Sequence, residues 1–456
     1  MFFQKIFQSN SYQAKFFDKL LIFGSIMCFA IFNQALHSSN IQPRSFTPDD
    51  SDYYSKTYIP YEDGVYNDQI KSVLLHKSGF ELSMPIIGLN AGETLKLSFD
   101  ELGSDLKKYY YTILLCNADG LPTKLLKNEY LEGFTDNEIS DYAFSFNTSV
   151  KYVHYSTSFP NQNCKITHSG CYFVLVYEDK TPEKPILMKK FWVLDPSINI
   201  NATAKQANLI EERKYKQEVN FTLELGNYRV NDPSRTLKVF VSQNGRRDCV
   251  KDLKPSMYKG NTLEYIYESE DLFDGGNEFR HVDLKSIKHN TDRVLRTDFD
   301  SGYYHIFLKA DERRTFKVYE TDDDINGRLL VKTEEGRNSD TESEYVWTYF
   351  NLPMANPVFT GNMYLLGALC NWQYNKASLM IYDYKKQCYS TRLLLKQGYY
   401  NYQYVVLETG SKCADVSFIE GNHYETANEY NIWVYYRSES EDYDQLIGFT
   451  TIKSNQ

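Results

Sequence analysis

The stretch GYYNYQYVV, from Gly398 to Val406, indicates the fold class because its tyrosines alternate. Successive side chains of a β-strand point to opposite faces. A strand here would place three tyrosines on one face: Tyr400, Tyr402 and Tyr404. The other face would carry Tyr399, Asn401, Gln403 and Val405. Alternating aromatic residues fit a half-buried sheet, so we expect the first face to lie in a core and the second to be available for recognition.

The same period of two recurs along the chain. CYFVLVYED, from Cys171, is apolar on both faces and predicts a central strand. Other alternating stretches are TLKLSFDEL, VNFTLEL, TLKVFVSQ, EYVWTYFNL, SLMIYDY and YNIWVYYR. The chain is therefore predicted to be all-β and to consist of tandem immunoglobulin-like β-sandwich domains.

The length of 456 residues suggests about three domains of ordinary size. The charged stretch TEEGRNSDTESE, from Thr333, is typical of a linker or long loop. We predict a signal peptide at 1–36, an N-terminal β-sandwich at 45–197, a second at 198–335, and an immunoglobulin-like or carbohydrate-module-like sandwich at 344–456.

Composition excludes some classes of partner. The net charge is −10 and no long cluster of lysine and arginine is present, which argues against nucleic acid or an anionic membrane surface. The 39 tyrosines and 28 phenylalanines favour sheet over helix.

The N-terminal region has the pattern of an export signal. Lys15 and Lys19 precede an apolar run, Leu20–Phe32, that is shorter than the roughly 20 residues needed to span a bilayer. We expect cleavage near Ala35 and a soluble mature protein without direct lipid insertion. A short membrane anchor is the alternative interpretation.

Seven cysteines follow this signal, so at least one is unpaired. Cys164 and Cys171 are close enough in sequence to bridge a bend, and Cys370 and Cys388 are candidates for a bridge between neighbouring strands. The alternative is that these thiols are buried and free.

No motif of known chemistry is found in the sequence, such as a nucleophile elbow, a P-loop or a dinucleotide-binding fingerprint. His305 lies in a strand-like stretch and is typical of a packed residue. The acidic run at 320–324 lacks the ligand spacing of a calcium loop. Glu420, Glu425 and Glu429 are candidates for paired carboxylates, but spacing alone does not place two of them around one bond. We predict no enzyme activity, no catalytic or metal-binding residues, no cofactor and no small-molecule substrate.

Several strings resemble the type IX secretion system plug protein family. The longest begins IKSVLLHKSGFELSMPIIGLNAGETLKLSFD, and later ones include DYAFSFNT, SGCYFVLVY, GGNEFRHVDLKS, LKQGYYNYQYV and EGNHYETANEYNIWVYYR. The chain departs from the family at Gly120, where we expect tryptophan, and at Cys171, where we expect asparagine.

The resemblance implies a periplasmic protein that is associated with the outer membrane through the translocon. It would bind the periplasmic opening of the outer-membrane translocon barrel and seal it when no cargo adaptor is bound. Tyrosine suits such an interface because its ring is apolar and its hydroxyl bonds to a wet partner.

The alternative function is carbohydrate binding through the C-terminal sandwich. YLLGALCNWQYN, from Tyr364, resembles the start of glycogen-binding modules, in which Trp372 would be the stacking platform. Trp372 is also our candidate anchor for a protein partner. A lone tryptophan carries little weight, since one fold is reused for many functions.

Overall fold

The computed structural model describes residue 59 and residues 61–454, which form β-sheets connected by loops and short helices. The predicted signal peptide at 1–36 lies outside these residues. The predicted all-β class, built of β-sandwiches, is confirmed. In the described part of the chain, no helix is long and apolar enough to cross a membrane. The helical segments are Lys127–Tyr130, Pro233–Thr236, Ser339–Glu342, Ser417–Glu420 and the 3-10 turn Ala368–Cys370.

The first sandwich packs two sheets against each other. Its strands are β1 (Gly64–Val65), β2 (Ile70–Lys77), β3 (Ile86–Gly88), β4 (Leu95–Leu102), β5 (Tyr109–Cys116), β6 (Leu131–Gly133), β7 (Asp136–Ile139), β8 (Asp141–Phe144), β9 (Tyr152–Phe159), β10 (Cys164–Ile166), β11 (Gly170–Glu178) and β12 (Pro185–Leu194). One sheet has the order β1-β12-β11-β5-β7, with β3 parallel to β12, and the other has the order β2-β4-β9-β8. β6 and β10 form a separate ribbon.

β11 is the central strand that its sequence predicts, because both of its faces are buried. Tyr172 and Val174 enter the core between the two sheets. Phe173 and Leu175 enter a second cluster, which they share with Trp433 from the C-terminal end of the chain. A strand that is apolar on both faces therefore marks a contact between two sandwiches.

The middle sandwich begins with β13 and contributes the next strands of the chain. These are β13 (Asn199–Gln206), β14 (Lys216–Glu224), β15 (Leu237–Gln243), β16 (Lys251–Leu253), β17 (Met257–Lys259), β18 (Thr262–Tyr265) and β19 (Leu272–Asp274). One sheet has the order β13-β14-β18-β17, and β19 also pairs with β14.

The third sandwich follows directly. Its strands are β20 (Arg280–Asp283), β21 (Val294–Asp300), β22 (Tyr303–Leu308), β23 (Leu329–Val331), β24 (Tyr345–Pro353), β25 (Gly361–Leu366), β26 (Ile381–Asp383), β27 (Cys388–Lys396) and β28 (Gly398–Glu408). β28 pairs with β20, β23 and β25, and the opposing sheet has the order β21-β22-β24-β27-β26.

The last two strands return to the middle sandwich. β29 (Glu429–Tyr436) and β30 (Gln445–Lys453) complete a sheet of order β16-β15-β29-β30. The division into 45–197, 198–335 and 344–456 stays a prediction for domains that fold alone, but strand pairing crosses its second boundary. The third sandwich is inserted into the middle one. Alternation identifies strands and not their partners, so this pairing has no signal in the sequence.

The tyrosine face of β28 lies in the third core, as expected. Tyr400, Tyr402 and Tyr404 are 2%, 0% and 0% exposed. The other face is also covered, in contrast to our expectation that it is free for recognition. Asn401 is fully buried and accepts a hydrogen bond from the Ile325 backbone N–H, and buried Gln403 donates to a backbone carbonyl.

The disulfide in the described structure joins Cys249 to Cys413 and links the middle sandwich to the third. The two bridges considered from the sequence are not formed, and their thiols are free. Cys164 points into the first core, whereas Cys171 lies on the other face of its sheet, in the cluster shared with the middle sandwich. Short sequence separation therefore does not bring these two sulfur atoms together.

Candidate partner-binding surface and the joints behind it

A buried polar cluster connects the first sandwich to the third. We call it the ionic joint, and it consists of Asp100, His154, Tyr345 and Lys396. The Lys396 ammonium and the Tyr345 hydroxyl both donate to Asp100 Oδ2, each at 2.6 Å. His154 Nδ1 lies 2.6 Å from Asp100 Oδ1. The Asp100 and Lys396 side chains are each 1% exposed, so this contact is shielded from water.

Burial alone would raise the pKa of Asp100, but the Lys396 charge and the His154 hydrogen bond outweigh it and hold the pKa below its ordinary value. The same carboxylate raises the pKa of Tyr345, in addition to the larger effect of burial on that hydroxyl. Asp100 is therefore an anion held by three donors. This arrangement fixes the relative position of two sheets.

The stretch predicted as a linker completes this joint. Its helix, Ser339–Glu342, packs near β9. Glu344 is the last residue of the stretch, is buried, and accepts hydrogen bonds from the backbone N–H groups of Ser149 and Val150 at 2.6 and 3.0 Å. Of the two predictions, linker or long loop, the stretch is a long loop with one short helix, and its last residue binds backbone of the first sandwich.

A second joint connects the first sandwich to the middle one, and we call it the aromatic joint. It consists of Trp192, Trp433 and Tyr435. The two indole rings lie 5.5 Å apart, and Trp192 Nε1–H donates to the Tyr435 hydroxyl at 2.9 Å. All three side chains are buried. Apolar contact provides the attraction here, and one hydrogen bond satisfies the Trp192 N–H.

The tyrosine face of β28 contacts a buried network of ion pairs inside the third sandwich. The hydroxyls of Tyr402 and Tyr404 donate to Asp311 Oδ2 at 2.8 and 2.7 Å. Arg280 bonds both Asp311, at 2.7 Å, and Glu420, at 2.9 Å. Burial would raise the pKa of Glu420, but Arg280 and Arg314 lower it below the ordinary value.

The three glutamates considered as paired carboxylates are therefore not alike. Glu420 is buried, and its oxygens are occupied by arginines and a backbone N–H. Glu429 pairs with Arg328, and Glu425 is exposed. The structure gives Glu420 a structural role in the third core.

The remaining candidates for chemistry have ordinary contacts. His305 Nδ1 lies 2.9 Å from the Tyr349 hydroxyl. In the acidic run, Asp324 turns inward and accepts from two backbone N–H groups, and burial raises its pKa to about 6. Among the described residues, the grouping with metal-ligand proximity is Asp248 with Cys249 and Cys413, and both of those sulfurs are in the disulfide.

Trp372 lies where the third sandwich approaches the first, with a half-buried side chain. Its ring meets Phe279 edge-on at a centroid distance of 6.1 Å, and Gly327 packs against its six-membered ring. A Cβ on Gly327 would lie 2.4 Å from the indole, so only glycine permits this contact. Phe279 and Gly327 contact the ring, and these contacts do not support its use as a stacking platform for sugars. That role of Trp372 stays a prediction.

Exposed aromatic residues gather instead along one edge of the first sandwich. Tyr142, Phe144 and Phe146 are 45%, 51% and 68% exposed. We call this surface the β8 edge. Tyr142 is opposite Tyr155 and Phe144 is opposite Val153, and both of those partners are fully buried. The face that forms the core therefore continues past the last strand without cover.

The β8 edge combines apolar and acidic character. Among the described residues, β8 is the end strand of its sheet, and no described strand pairs with its outer backbone groups. Residues 129–146 contain five acidic residues and no lysine or arginine: Glu129, Glu132, Asp136, Glu138 and Asp141. The stretch DYAFSFNT contains this edge. Its strand has four residues and is exposed on both faces, so it has no buried face that an alternating sequence pattern could indicate.

Comparison with known proteins identifies relatives of this chain. Residues 70–195 match the family model described as the Type 9 secretion system plug protein 1st domain. A hypothetical protein from Parabacteroides merdae with a known crystal structure is 35% identical, and the alignment covers 87% of this chain and 100% of that one at a TM-score of 0.84. No curated protein matches the sequence.

Proposed function

Because the chain belongs to the type IX secretion system plug protein family, we propose that it is a non-enzymatic plug. It binds the periplasmic opening of the translocon barrel and seals it when no cargo adaptor is bound. The protein would act in the periplasm, attached to the outer membrane through the barrel. Its partner is a protein, and neither nucleic acid nor a small-molecule substrate takes part.

The observation that carries this proposal is the pair of buried joints. The ionic joint and the aromatic joint each cross from one sandwich to another. A plug must keep its shape against a wide opening, since a flexible chain of domains would leave gaps. Sealing requires area, complementary shape and satisfied polar groups, and it requires no nucleophile.

The β8 edge is the surface that we propose for the barrel contact. Aromatic anchors at the centre of an interface provide most of its binding energy, and surrounding charges contribute less. Tyr142 and Phe144 are such anchors, because their rings are exposed and supported from behind by buried core residues. Trp372 remains a secondary candidate for the same contact.

The test is recovery of the barrel by the tagged full-length protein from gently solubilised membranes of the native bacterium. We expect the wild type to recover a very large outer-membrane barrel with little adaptor. Tyr142→Lys with Phe144→Lys should abolish recovery. The matched control is Phe359→Lys, which alters a side chain that is 86% exposed on the third sandwich and should leave recovery unchanged.

Two results would count against the proposal. Failure of the wild-type protein to recover any large barrel would remove the plug function. Equal recovery by the double variant and the wild type would remove the β8 edge as the contact. Deletion of the gene should also make the outer membrane permeable to large antibiotics, because an unsealed barrel passes what the lipid excludes.

A further inference from the structure

A cleft of about 610 Å³ lies between the first and third sandwiches and is lined by residues of β2. We call it the basic cleft and define it by Lys71, Tyr303, Trp347, Lys376 and Arg392. The ionic joint adjoins the cleft, because its Lys396 also lines it.

The charge of this cleft is opposite to that of the protein. The net charge of the chain is −10, yet Lys71, Lys376 and Arg392 line the cleft beside a single unpaired carboxylate, Asp68. Within the described structure, none of the three cations has a carboxylate oxygen within 4.0 Å. Cations that share a concave surface raise the local potential and attract anions.

Lys71 is the cation of the cleft whose charge is most affected by burial. It is half-buried, and burial lowers the pKa of its ammonium despite attraction from Asp68. Removing an ammonium from water is costly unless an opposite charge replaces the lost hydration. An anionic ligand in the cleft would supply that charge.

Arg392 is held in place by an aromatic ring. Its guanidinium lies 4.6 Å from the centroid of Trp347, and Tyr303 lies 6.4 Å from the same ring. One guanidinium nitrogen, Nη1, donates to the Tyr349 hydroxyl at 3.3 Å. Stacking restricts the guanidinium and leaves its remaining N–H groups for a carboxylate. A ligand therefore loses less conformational entropy at Arg392 than at a mobile surface arginine.

The walls of the cleft favour an extended peptide. β2 and β23 both line the cleft, and each is the end strand of its sheet. End strands offer unpaired backbone donors and acceptors, and an extended segment can pair with them. The floor adds apolar side chains from Leu329 and Leu394, which suit alternate side chains of such a segment.

We propose that the basic cleft binds an extended acidic peptide segment of a partner protein. The backbone of the segment would pair with an end strand, its carboxylates would bind Lys71 and Arg392, and its apolar side chains would lie on the floor. This site is separate from the β8 edge and is independent of whether the protein seals a barrel.

Fluorescence anisotropy on the purified full-length protein tests the proposal. The probe is a short fluorescent peptide of alternating glutamate and valine, and its counterpart replaces glutamate with lysine. We expect the acidic probe to bind and the basic probe not to bind. Binding should weaken by at least about tenfold in Lys71→Glu with Arg392→Glu, the size expected for losing a charge-assisted hydrogen bond.

The matched control is Lys184→Glu with Lys412→Glu, which makes the same change in net charge at exposed positions outside the cleft. It should bind the probe as the wild type does. Arg392→Ala provides a second variant, because Arg392 is exposed and its loss does not affect a core. Circular dichroism confirms that each variant is folded.

Three results would overturn the proposal: no binding of the acidic probe, equal weakening in the control variant, or equal binding of the basic probe. Displacement of the acidic probe by inorganic phosphate at the concentration of the probe would also overturn the proposal, since the cleft would then bind any anion. Because the assay contains no barrel, these results are separate from those that test the plug function.

Discussion

The two joints of this molecule hold their sandwiches together by opposite chemistry. At the aromatic joint, Trp192 and Trp433 bury apolar surface, and such contact tolerates small changes in angle. At the ionic joint, a carboxylate and an ammonium meet out of reach of water, and few geometries satisfy both groups. The aromatic joint provides attraction, and the ionic joint sets orientation.

The difference also affects how each joint fails. Removing apolar area weakens a contact in proportion to the area lost, whereas removing one member of a buried ion pair leaves the other charge without compensation. We therefore expect the ionic joint to be the more sensitive of the two to single substitutions.

The largest effect is expected from Asp100→Ala. It leaves Lys396 buried without a counter-charge and should lower the free energy of unfolding by about 3–5 kcal/mol. Urea denaturation followed by tryptophan fluorescence measures it. The control Asp105→Ala changes an exposed aspartate and should stay within about 0.5 kcal/mol of the wild type. Equal losses in the two variants would show that the ionic joint does not limit stability.

A pH series should separate the joints next. The folded pKa of Asp100 is below its ordinary value, so its charge contributes stability above about pH 4 and loses that contribution as pH falls through the folded pKa. The stability difference between wild type and Asp100→Asn should therefore shrink between pH 7 and pH 3, a range chosen around the ordinary aspartate pKa of about 3.9. A constant difference would contradict this account of the joint.

At the aromatic joint, Tyr435→Phe removes the acceptor for Trp192 Nε1–H. A buried donor left without a partner should cost about 1–3 kcal/mol, and the loss should not change between neutral and acidic pH. Tyr436→Phe is the control, because that hydroxyl has no hydrogen-bond partner in the described structure. Urea midpoints of both variants measure the difference, and a loss for Tyr436→Phe as large as for Tyr435→Phe would reject it.

The smallest effect should come from the rim of the ionic joint. Lys96 lies 3.4 Å from Asp340, and the two side chains are 35% and 48% exposed. Lys96→Ala should cost at most about 1 kcal/mol, because water and salt screen such a pair. The same urea titration at low and high salt measures it, and a cost approaching that of Asp100→Ala would mean that burial does not distinguish the two contacts.

Sequence alone predicts alternating strands and the tyrosine face of β28 as a core face, because alternation is local, but it does not predict that the opposite face of β28 is also buried. The apolar pattern of its sequence predicts β11 as a central strand, and the alternation in β28 predicts that Tyr400, Tyr402 and Tyr404 lie in a core. The ionic joint had no such signal. Asp100 stands in an alternating stretch where a polar residue suggests solvent, and its partner Lys396 is 296 residues away.

The sequence predicts the candidate binding surface only in part. Trp372 stood out because tryptophan is rare, with four in the chain, whereas the structure covers its ring with Phe279 and Gly327. Tyr142 and Phe144 were unremarkable among 39 tyrosines and 28 phenylalanines. Their exposure depends on which strand ends the sheet, and that is a property of the fold.

The inserted third sandwich has a consequence for how the chain folds. Strand β15 acquires its neighbour β29 only after the whole insertion has been made, and Glu429 bonds a residue 185 positions earlier, Asn244. During synthesis from the N-terminus, the edge of β15 that pairs with β29 therefore remains unpaired until the insertion has been made, and an unpaired strand edge is prone to aggregate. Contacts between residues so far apart in sequence also slow folding. A truncation that removes β29 and β30 would leave that sheet with two strands, so the middle sandwich can be completed only after the strands that follow the inserted sandwich have been made.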